Sequence, residues 1–310
     1  MKKTPFFLFL TAWLSLPSYA TEQVALRVGI QTSGTLDWEL SVLEPSPDFK
    51  IQTIPLATAE AAKIALQTDA VDLIVSDFLW VSQTRHNGAE FTFYPYSNTA
   101  GALVVPADSN IHNIKDLAGT HIGIAGGELD KNWLMLLAVA KKDGLDLSTS
   151  IEKTFGAPPL INEQLKNHRV DAVLTQWHFA AQLEAEGYHQ VLDGHDLQKS
   201  LGLSQSVPTL GYIFRESWAN KHKNLLNAFF NATKQAKDHL CHDDEVWAKT
   251  VTKMTANTIT LRQRYCEGRV TTWSSDTQQA AETLYSKLYL LNSKIGSSPT
   301  LTPGTFWTTN

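Results

Sequence analysis

The stretch VALRVGI at residues 24–30 opens the pattern that decides the fold, because it is strand-like and gives way to a helix candidate from about Leu36. A second strand-like run, KIQTI at 50–54, precedes a helix candidate at 58–67. The run VDLIV at 71–75 then follows as a buried strand. This alternation of strands and helices predicts βαβ units in a mostly parallel sheet.

The same pattern restarts near residue 121, which predicts a second α/β unit and therefore a second lobe. Its predicted elements are the strand HIGIA at 121–125, a helix from 129 to about 142, a strand at 151–155, a helix at 160–167 and the strand VDAVL at 170–174. Apolar strands at 101–106 and 207–214, each with a proline, suit crossovers between the lobes. We therefore expect lobe one to comprise residues 21–104 and 208–310, and lobe two residues 105–207.

Beyond the second crossover the chain is predicted to be helical. The helix candidates lie at 220–239, 243–254, 258–267 and 276–294. The tail from residue 296 onward has loop composition, with Pro299 and Pro303. We expect it to pack along lobe one through Phe306 and Trp307.

The first twenty residues have the pattern of a secretory signal peptide. Lys2 and Lys3 precede an apolar run at 5–16, and the small-residue tripeptide at 18–20 follows. The apolar run is shorter than the roughly 20 residues that a membrane-spanning helix needs, and no cysteine follows Ala20 to carry a lipid. We expect residues 1–20 to be a signal peptide cleaved after Ala20, and the mature protein to be soluble in the periplasm.

Composition and charge restrict the classes of partner. An apolar content of 43% is ordinary for a globular chain with a sizeable core. Loss of residues 1–20 removes Lys2 and Lys3 but no acid, so the formal net charge moves from −5 to −7. This acidic balance disfavours a nucleic-acid partner.

The chain has only two cysteines, Cys241 and Cys266. In an oxidising compartment two thiols in one region favour a disulfide. Because neither cysteine has a histidine or cysteine at ligand spacing, such as a C-x-x-C pair, a metal site is disfavoured. We therefore predict a disulfide and no metal.

Three segments resemble a known family. They are RVGIQ at 27–31 leading into SGT at 33–35, AVDLIVS at 70–76, and IKDLAGTHIGI at 114–124, with APP at 157–159 and VDAV at 170–173 in support. The chain is similar over essentially its whole mature length to the periplasmic solute-binding proteins of alkanesulfonate, taurine and thiamine-precursor importers, the NMT1/THI5-like family. That family has the type II periplasmic-binding-protein fold.

The resemblance implies two α/β lobes, each a mostly parallel sheet flanked by helices, with a ligand cleft between them. It implies a monomer that closes on a small molecule and then docks on the inner-membrane permease of an ABC-type importer. It implies binding rather than catalysis, with no cofactor.

The ligand-facing residues are expected directly after the strands, because ligands of open α/β sheets bind beyond the carboxyl ends of the strands. The predicted ligand-binding residues are Gln31, Ser33, Gly34, Thr35, Asp37, Trp38, Ser76, Asp77, Trp80, Gly126, Gly127, Asp130, Trp133, Gln176 and Trp177. Four strand ends thus carry one tryptophan each, which predicts a cleft with aromatic walls.

Each of these residue types also has a simpler explanation. Hydroxyl side chains such as Thr35 and Ser76 can cap helices, and Gly126-Gly127 can form a tight turn. Acids such as Asp77 and Asp130 are favoured in first helical turns by the helix dipole. If two of these acids face the cleft, they would favour a cationic, hydrogen-bond-donating or metal-bound ligand over an anion.

Motifs of the common enzyme classes are missing from the sequence. It contains no G-x-S-x-G elbow, no P-loop and no H-E-x-x-H, and its ten histidines are scattered. Two alternatives to transport stay open. One is an enzyme related to pyrimidine synthesis, and the other is an accessory scaffold that partners a periplasmic enzyme.

Overall fold

The computed structural model describes residues 25–32, 34–252 and 258–308. The predicted signal peptide at 1–20 and the predicted ligand residue Ser33 lie outside these residues. The strands are β1 Ala25–Gln31, β2 Lys50–Leu56, β3 Leu73–Asp77, β4 Phe91–Ser97, β5 Ala102–Val105, β6 His121–Ala125, β7 Glu152–Gly156, β8 Ala172–Thr175, β9 His189–Asp193 and β10 Leu210–Arg215.

Thirteen α-helices occur in the described part of the chain. They are α1 Leu36–Ser41, α2 Ala59–Gln67, α3 Phe78–His86, α4 Lys131–Lys142, α5 Leu147–Ser150, α6 Pro158–Lys166, α7 Trp177–Ala185, α8 Gly194–Ser200, α9 Glu216–Lys221, α10 Lys223–His242, α11 Asp244–Thr250, α12 Ile259–Glu267 and α13 Ser275–Tyr289. Short 3-10 helices add Ile114–Leu117 and Ser293–Ile295.

The strands form two five-stranded sheets, in the orders β2-β1-β3-β10-β4 and β7-β6-β8-β5-β9. We call each sheet with its packed helices a lobe. In the first lobe β1 runs parallel to β2 and β3, and β10 is antiparallel to β3 and β4. In the second, β6 runs parallel to β7 and β8, and β5 is antiparallel to β8 and β9. This architecture confirms the predicted two-sheet α/β fold, while the exact lobe boundaries stay a prediction.

The core of the first lobe follows from strand and helix periodicity. Leu26 and Val28 of β1 are fully buried on one face of the sheet, where α10 presents Leu226 and Phe229. Gly29 turns to the other face. A Cβ there would lie 2.9 Å from a methyl of Leu56, so glycine permits the close approach.

The predicted crossover strands are members of the sheets. Residues 102–105 form β5 inside the second sheet, and residues 210–215 form β10 inside the first. Antiparallel pairing satisfies the backbone groups of these strands, so the chain passes between lobes just outside them. The tail packs on the first lobe as expected, with Phe306 bridged to Phe93 and the Trp307 N–H donating to the Phe93 carbonyl at 2.8 Å.

Candidate functional site

Two tryptophans that follow strands of different lobes meet between the lobes. Trp38 lies in α1, after β1, and Trp177 is the first residue of α7, after β8. Their ring centroids are 6.1 Å apart in an edge-to-face arrangement. The carboxyl ends of β1 and β8 therefore face each other, as expected for a cleft between two open α/β sheets.

Two aromatic residues of the C-terminal helices complete this cluster. The rings of Trp247 and Tyr265 lie 5.8 Å and 5.7 Å from that of Trp38, and Trp177 is 6.2 Å from Tyr265. Trp177, Trp247 and Tyr265 are buried, whereas Trp38 is partly exposed. We call these four residues the interlobe aromatic cluster.

The acids at the strand ends cap helices. Asp77 accepts a hydrogen bond from the Trp80 N–H at 2.9 Å, and Asp130 accepts from the N–H groups of Asn132 and Trp133 at 2.8 Å and 3.2 Å. Burial raises the pKa of Asp130 against the attraction of Lys131 and the helix N–H groups, and the charge of Asp77 in the first lobe adds a smaller rise.

The glycine pair after β6 forms a tight turn. Gly126 has φ +105°, in the region that favours glycine, and its N–H donates to the Gly156 carbonyl at 2.9 Å. The Gly127 carbonyl accepts from the Asp130 N–H at 2.9 Å. Turn geometry thus explains why residue 126 is a glycine. Gly127 is exposed, and a Cβ added there would have no neighbouring atom within 4 Å.

The other predicted ligand-binding residues lie either near the carboxyl ends of the strands or inside the lobes. Gln31 accepts from Gly34 at 2.8 Å in the turn after β1, and Thr35 is buried against Tyr96. Gln176, ahead of Trp177, is half-buried. Ser76 is buried in β3, and Asp37 is exposed on α1.

Trp80 and Trp133 are not brought to the interlobe aromatic cluster. Trp80 stacks on Phe91 at 5.4 Å within the first lobe. Trp133 is 3% exposed and packs edge-to-face against Phe155 in the second lobe. Trp133 therefore belongs to the core of the second lobe, whereas Trp80 is partly exposed and packs against the core of the first.

A cavity of about 300 Å³ lies beside Trp177, between the second lobe and α12. Its lining residues are Thr99, Ala100, Trp177, Gln190, Asp193, His195, Thr260, Gln263, Arg264 and Glu267. Sequence reasoning missed all of these except Trp177. Asp193 ends β9 and His195 follows it, and this short half-buried strand has no clear periodicity by which the sequence could predict it.

The charges around this interlobe cavity are paired. Interaction with the Asp193 carboxylate, which accepts from the imidazole, raises the pKa of His195, whose Nδ1 lies 3.6 Å from an Asp193 oxygen. Burial would raise the pKa of Asp193, but His195 and the helix N–H groups outweigh it and the net shift is downward. Arg264 pairs with Glu184 at 2.6 Å, and burial still raises the pKa of Glu184 against this attraction.

A second cavity, of about 430 Å³, lies inside the first lobe, between β4, β10 and α10. Lys237 forms part of its wall and is 3.4 Å from the fully buried Glu39 of α1. The Glu39 carboxylate also accepts hydrogen bonds from the hydroxyls of Tyr96 and Tyr265, each at 2.7 Å. Burial raises the pKa of Glu39 and lowers that of Lys237, opposed in each case by their mutual attraction.

The predicted disulfide is confirmed. Cys241, at the end of α10, is bonded to Cys266 of α12, with the Cα atoms 5.7 Å apart. Within residues 25–32, 34–252 and 258–308, no three His, Cys, Asp or Glu side chains are grouped to hold a metal ion. No helix in that part of the chain is long and apolar enough to span a bilayer.

Comparisons with known proteins agree with this fold. A model of the NMT1/THI5-like family matches residues 50–246. In a search of curated proteins no sequence matches the chain.

Among solved structures, the alkanesulfonate-binding protein SsuA of Xanthomonas axonopodis pv. citri, bound to MOPS, has a TM-score of 0.71 and 17% identity over 93% of this chain and 99% of its own. The periplasmic aliphatic sulphonate binding protein SsuA of Escherichia coli has a TM-score of 0.71 and 16% identity over 92% and 98%. The ligand binding component of an ABC-type import system from Staphylococcus aureus, with zinc bound, has a TM-score of 0.69 and 13% identity over 92% and 97%. At these identities the likeness shows the shared fold.

Proposed function

Because this chain belongs to the NMT1/THI5-like family, we propose that it is the periplasmic solute-binding component of an ABC-type importer. It binds a small organic molecule between its lobes and delivers it to a permease in the inner membrane. It is a binding protein and performs no chemistry on its ligand. The observation that carries the proposal is the meeting of Trp38 and Trp177 from opposite lobes beside the interlobe cavity.

The cavity is suited to binding a small molecule. Its volume of about 300 Å³ falls at the lower end of the range for ligand pockets, roughly 300–1,000 Å³. Trp177 and Ala100 supply its apolar lining, and the other lining residues carry amide, hydroxyl and charged groups. Such a lining suits a small polar ligand, whose orientation would be fixed by several hydrogen bonds.

The charges near the cleft favour a ligand with a positive charge or several hydrogen-bond donors. The Asp130 carboxyl is affected by the charges of Lys131 and of Asp77 from the first lobe. The cations that line the cavity are paired, Arg264 with Glu184 and His195 with Asp193. Among the described lining residues, Glu267 is the charge outside these pairs, so it attracts an amine and repels a free sulfonate.

A ligand screen tests the proposal. The exported protein is purified and its thermal unfolding is followed with sulfonates such as taurine and MOPS, primary and quaternary amines, and aminopyrimidines. A ligand that binds the folded state raises the apparent melting temperature, and we expect the amines to raise it most. Isothermal titration then gives the affinity, and small-angle scattering measures closure.

Binding accompanied by compaction supports the transport role. Tight binding without any compaction would contradict lobe closure. Tight co-purification with a periplasmic enzyme, with no response to any ligand, would instead support the role of a partner scaffold.

A further inference from the structure

Helix α12 is fastened to the first lobe. The Cys266–Cys241 disulfide joins it to α10, and the Tyr265 hydroxyl donates to Glu39 of α1 at 2.7 Å. Arg262 of the same helix donates to the Leu240 carbonyl at 3.1 Å. A covalent bond and a buried hydrogen bond hold α12 from two sides, so α12 must move together with the first lobe.

Helix α12 also contacts the second lobe: Tyr265 packs on Trp177, and Arg264 makes hydrogen bonds to that lobe. The Arg264 guanidinium donates through one nitrogen to a Glu184 oxygen of α7 at 2.6 Å and through another to the Gln190 side chain of β9. The Arg264 and Glu184 side chains are only 19% and 18% exposed. A forked guanidinium held by two acceptors in a partly desolvated position is stronger and more directional than an exposed ion pair.

The carboxyl end of α12 lies beside the connection from β4 to the second lobe, which we take as the pivot of the two lobes. The Gly268 carbonyl, just past the helix, accepts from the Asn98 N–H at 2.8 Å and from the Ser97 hydroxyl at 3.1 Å, where the chain leaves β4 for the second lobe. Arg264 lies one turn before this point and lines the interlobe cavity. A rotation of the lobes about the pivot would preserve the bonds at Gly268 and separate Arg264 from Glu184.

We propose that the Arg264–Glu184 ion pair is a latch that holds the two lobes together in the ligand-free protein and so sets the ratio of closed to open molecules. The inference rests on the proposed opening and closing of the cleft. When the lobes separate, water solvates both charges, so the latch biases the equilibrium by a modest factor and does not lock it. Because a closed cleft contacts the ligand from both lobes, loss of the latch lowers the apparent affinity in proportion to the closed fraction.

The test measures the ligand-free protein by single-molecule fluorescence transfer. Both native cysteines are paired, so dyes can be attached to introduced cysteines at Glu60→Cys and Leu160→Cys. These positions are exposed and lie in the first turns of α2 and α6, one in each lobe. The measured quantity is the ratio of molecules with a short distance between the dyes, which are closed, to molecules with a long distance, which are open.

We expect Arg264→Ala and Glu184→Ala each to lower the closed-to-open ratio about five-fold, and the double variant to lower it no further. The charge swap Arg264→Glu with Glu184→Arg should recover much of the ratio, which a merely structural role would not produce. Arg215→Ala is the matched control. It removes an Arg–acid pair, with Asp69 at 2.9 Å, whose two partners both lie in the first lobe, and should leave the ratio unchanged.

An unchanged ratio in Arg264→Ala, or independent effects of the two single variants that add in the double, would overturn the latch. Thermal unfolding of every variant confirms that it folds. Because no ligand is present, this result is independent of the ligand screen. A protein that binds and closes on ligand yet shows no effect of Arg264→Ala would keep the proposed function and lose the latch.

Discussion

The rings of Trp38 and Trp177 meet edge-to-face across the two lobes, with their centroids 6.1 Å apart. An edge-to-face pair of this kind contributes about 0.5–1.5 kcal/mol beyond the area it buries. The contact lies at the carboxyl ends of the strands, beside the interlobe cavity. The contact therefore stabilises the approach of the lobes, and Trp177 also lines the space available to a ligand.

The four strand-end tryptophans should separate into two classes. Trp38→Ala and Trp177→Ala should weaken binding of the ligand found by the screen by about tenfold or more, because Trp177 lines the cavity and Trp38 packs against its ring. Trp177 and Trp133 are both buried, so replacing either by Ala should cost about 3–5 kcal/mol of folding free energy, but Trp133→Ala should leave the affinity of the folded protein unchanged. Isothermal titration gives the dissociation constants, and urea unfolding gives the stabilities.

Trp80→Ala is the comparison for binding. Trp80 lies in the first lobe, like Trp38, but stacks on Phe91. Its removal should leave the dissociation constant of the folded protein unchanged. A loss of affinity in Trp80→Ala equal to that in Trp38→Ala would contradict the assignment.

The buried pair of Glu39 and Lys237 should behave as a coupled unit. Lys237→Met leaves the carboxylate buried with only hydroxyl partners, and should cost about 3–5 kcal/mol of folding free energy. Glu39→Gln should also be costly, because it leaves a buried ammonium without a counter-charge. The double variant should cost less than the sum of the two, measured by urea unfolding.

Lys234→Met serves as the control for this pair. Lys234 lies one turn earlier on α10 and is exposed, so its replacement should change the stability by less than about 0.5 kcal/mol. Additive costs of Glu39→Gln and Lys237→Met would show that the pair is not coupled.

Loss of the disulfide should destabilise the protein through the unfolded state. The bond closes a loop with a sequence separation of 25, for which the chain-entropy relation gives about 3.5 kcal/mol. Cys241→Ser with Cys266→Ser should lower the free energy of unfolding by about this amount. The reduced wild-type protein should match the variant, and equal urea midpoints for oxidised and reduced protein would refute the prediction.

The Asp193–His195 pair should stabilise the fold most in mildly acidic solution. The pKa of His195 is raised from its ordinary value of 6.5, so its contribution is complete below about pH 6.5 and is lost as the pH rises through the folded-state pKa. The pKa of Asp193 is lowered from 3.8, so its contribution is present above about pH 3.8 and is lost as the pH falls through the folded-state pKa.

The measurement compares wild type with His195→Gln across this range. The difference in their free energies of unfolding should be larger at pH 6 than at pH 8. A difference that grows between pH 6 and pH 8 would have the wrong sign for this pair. Both groups are partly exposed, so added salt should reduce the effect.

Local patterns predicted most of the secondary structure. The run at 24–30 appears as β1 at Ala25–Gln31, and the run at 71–75 as β3 at Leu73–Asp77, because buried strands carry a continuous apolar signal. The half-buried strand β9 was missed, since HQVLD has neither a clear alternation nor an apolar run, and so was the buried strand β4, whose sequence FTFYPYS mixes aromatic and polar residues with a proline. Because β9 was missed, Asp193 and His195, two of the residues that line the interlobe cavity, were not predicted either.

The sequence by itself determined the α/β class, the two-unit organisation, the family resemblance and the cysteine pairing. These follow from periodicity, short motifs and residue type, which depend on near neighbours along the chain. Only the tertiary structure decided which strand-end residues meet. Trp38 and Trp177 are 139 positions apart and approach because two separate sheets face each other, whereas Trp80 and Trp133 turn into the cores. The pairing of Arg264 with Glu184 likewise depends on how a C-terminal helix packs across both lobes, and no local pattern encodes such a contact.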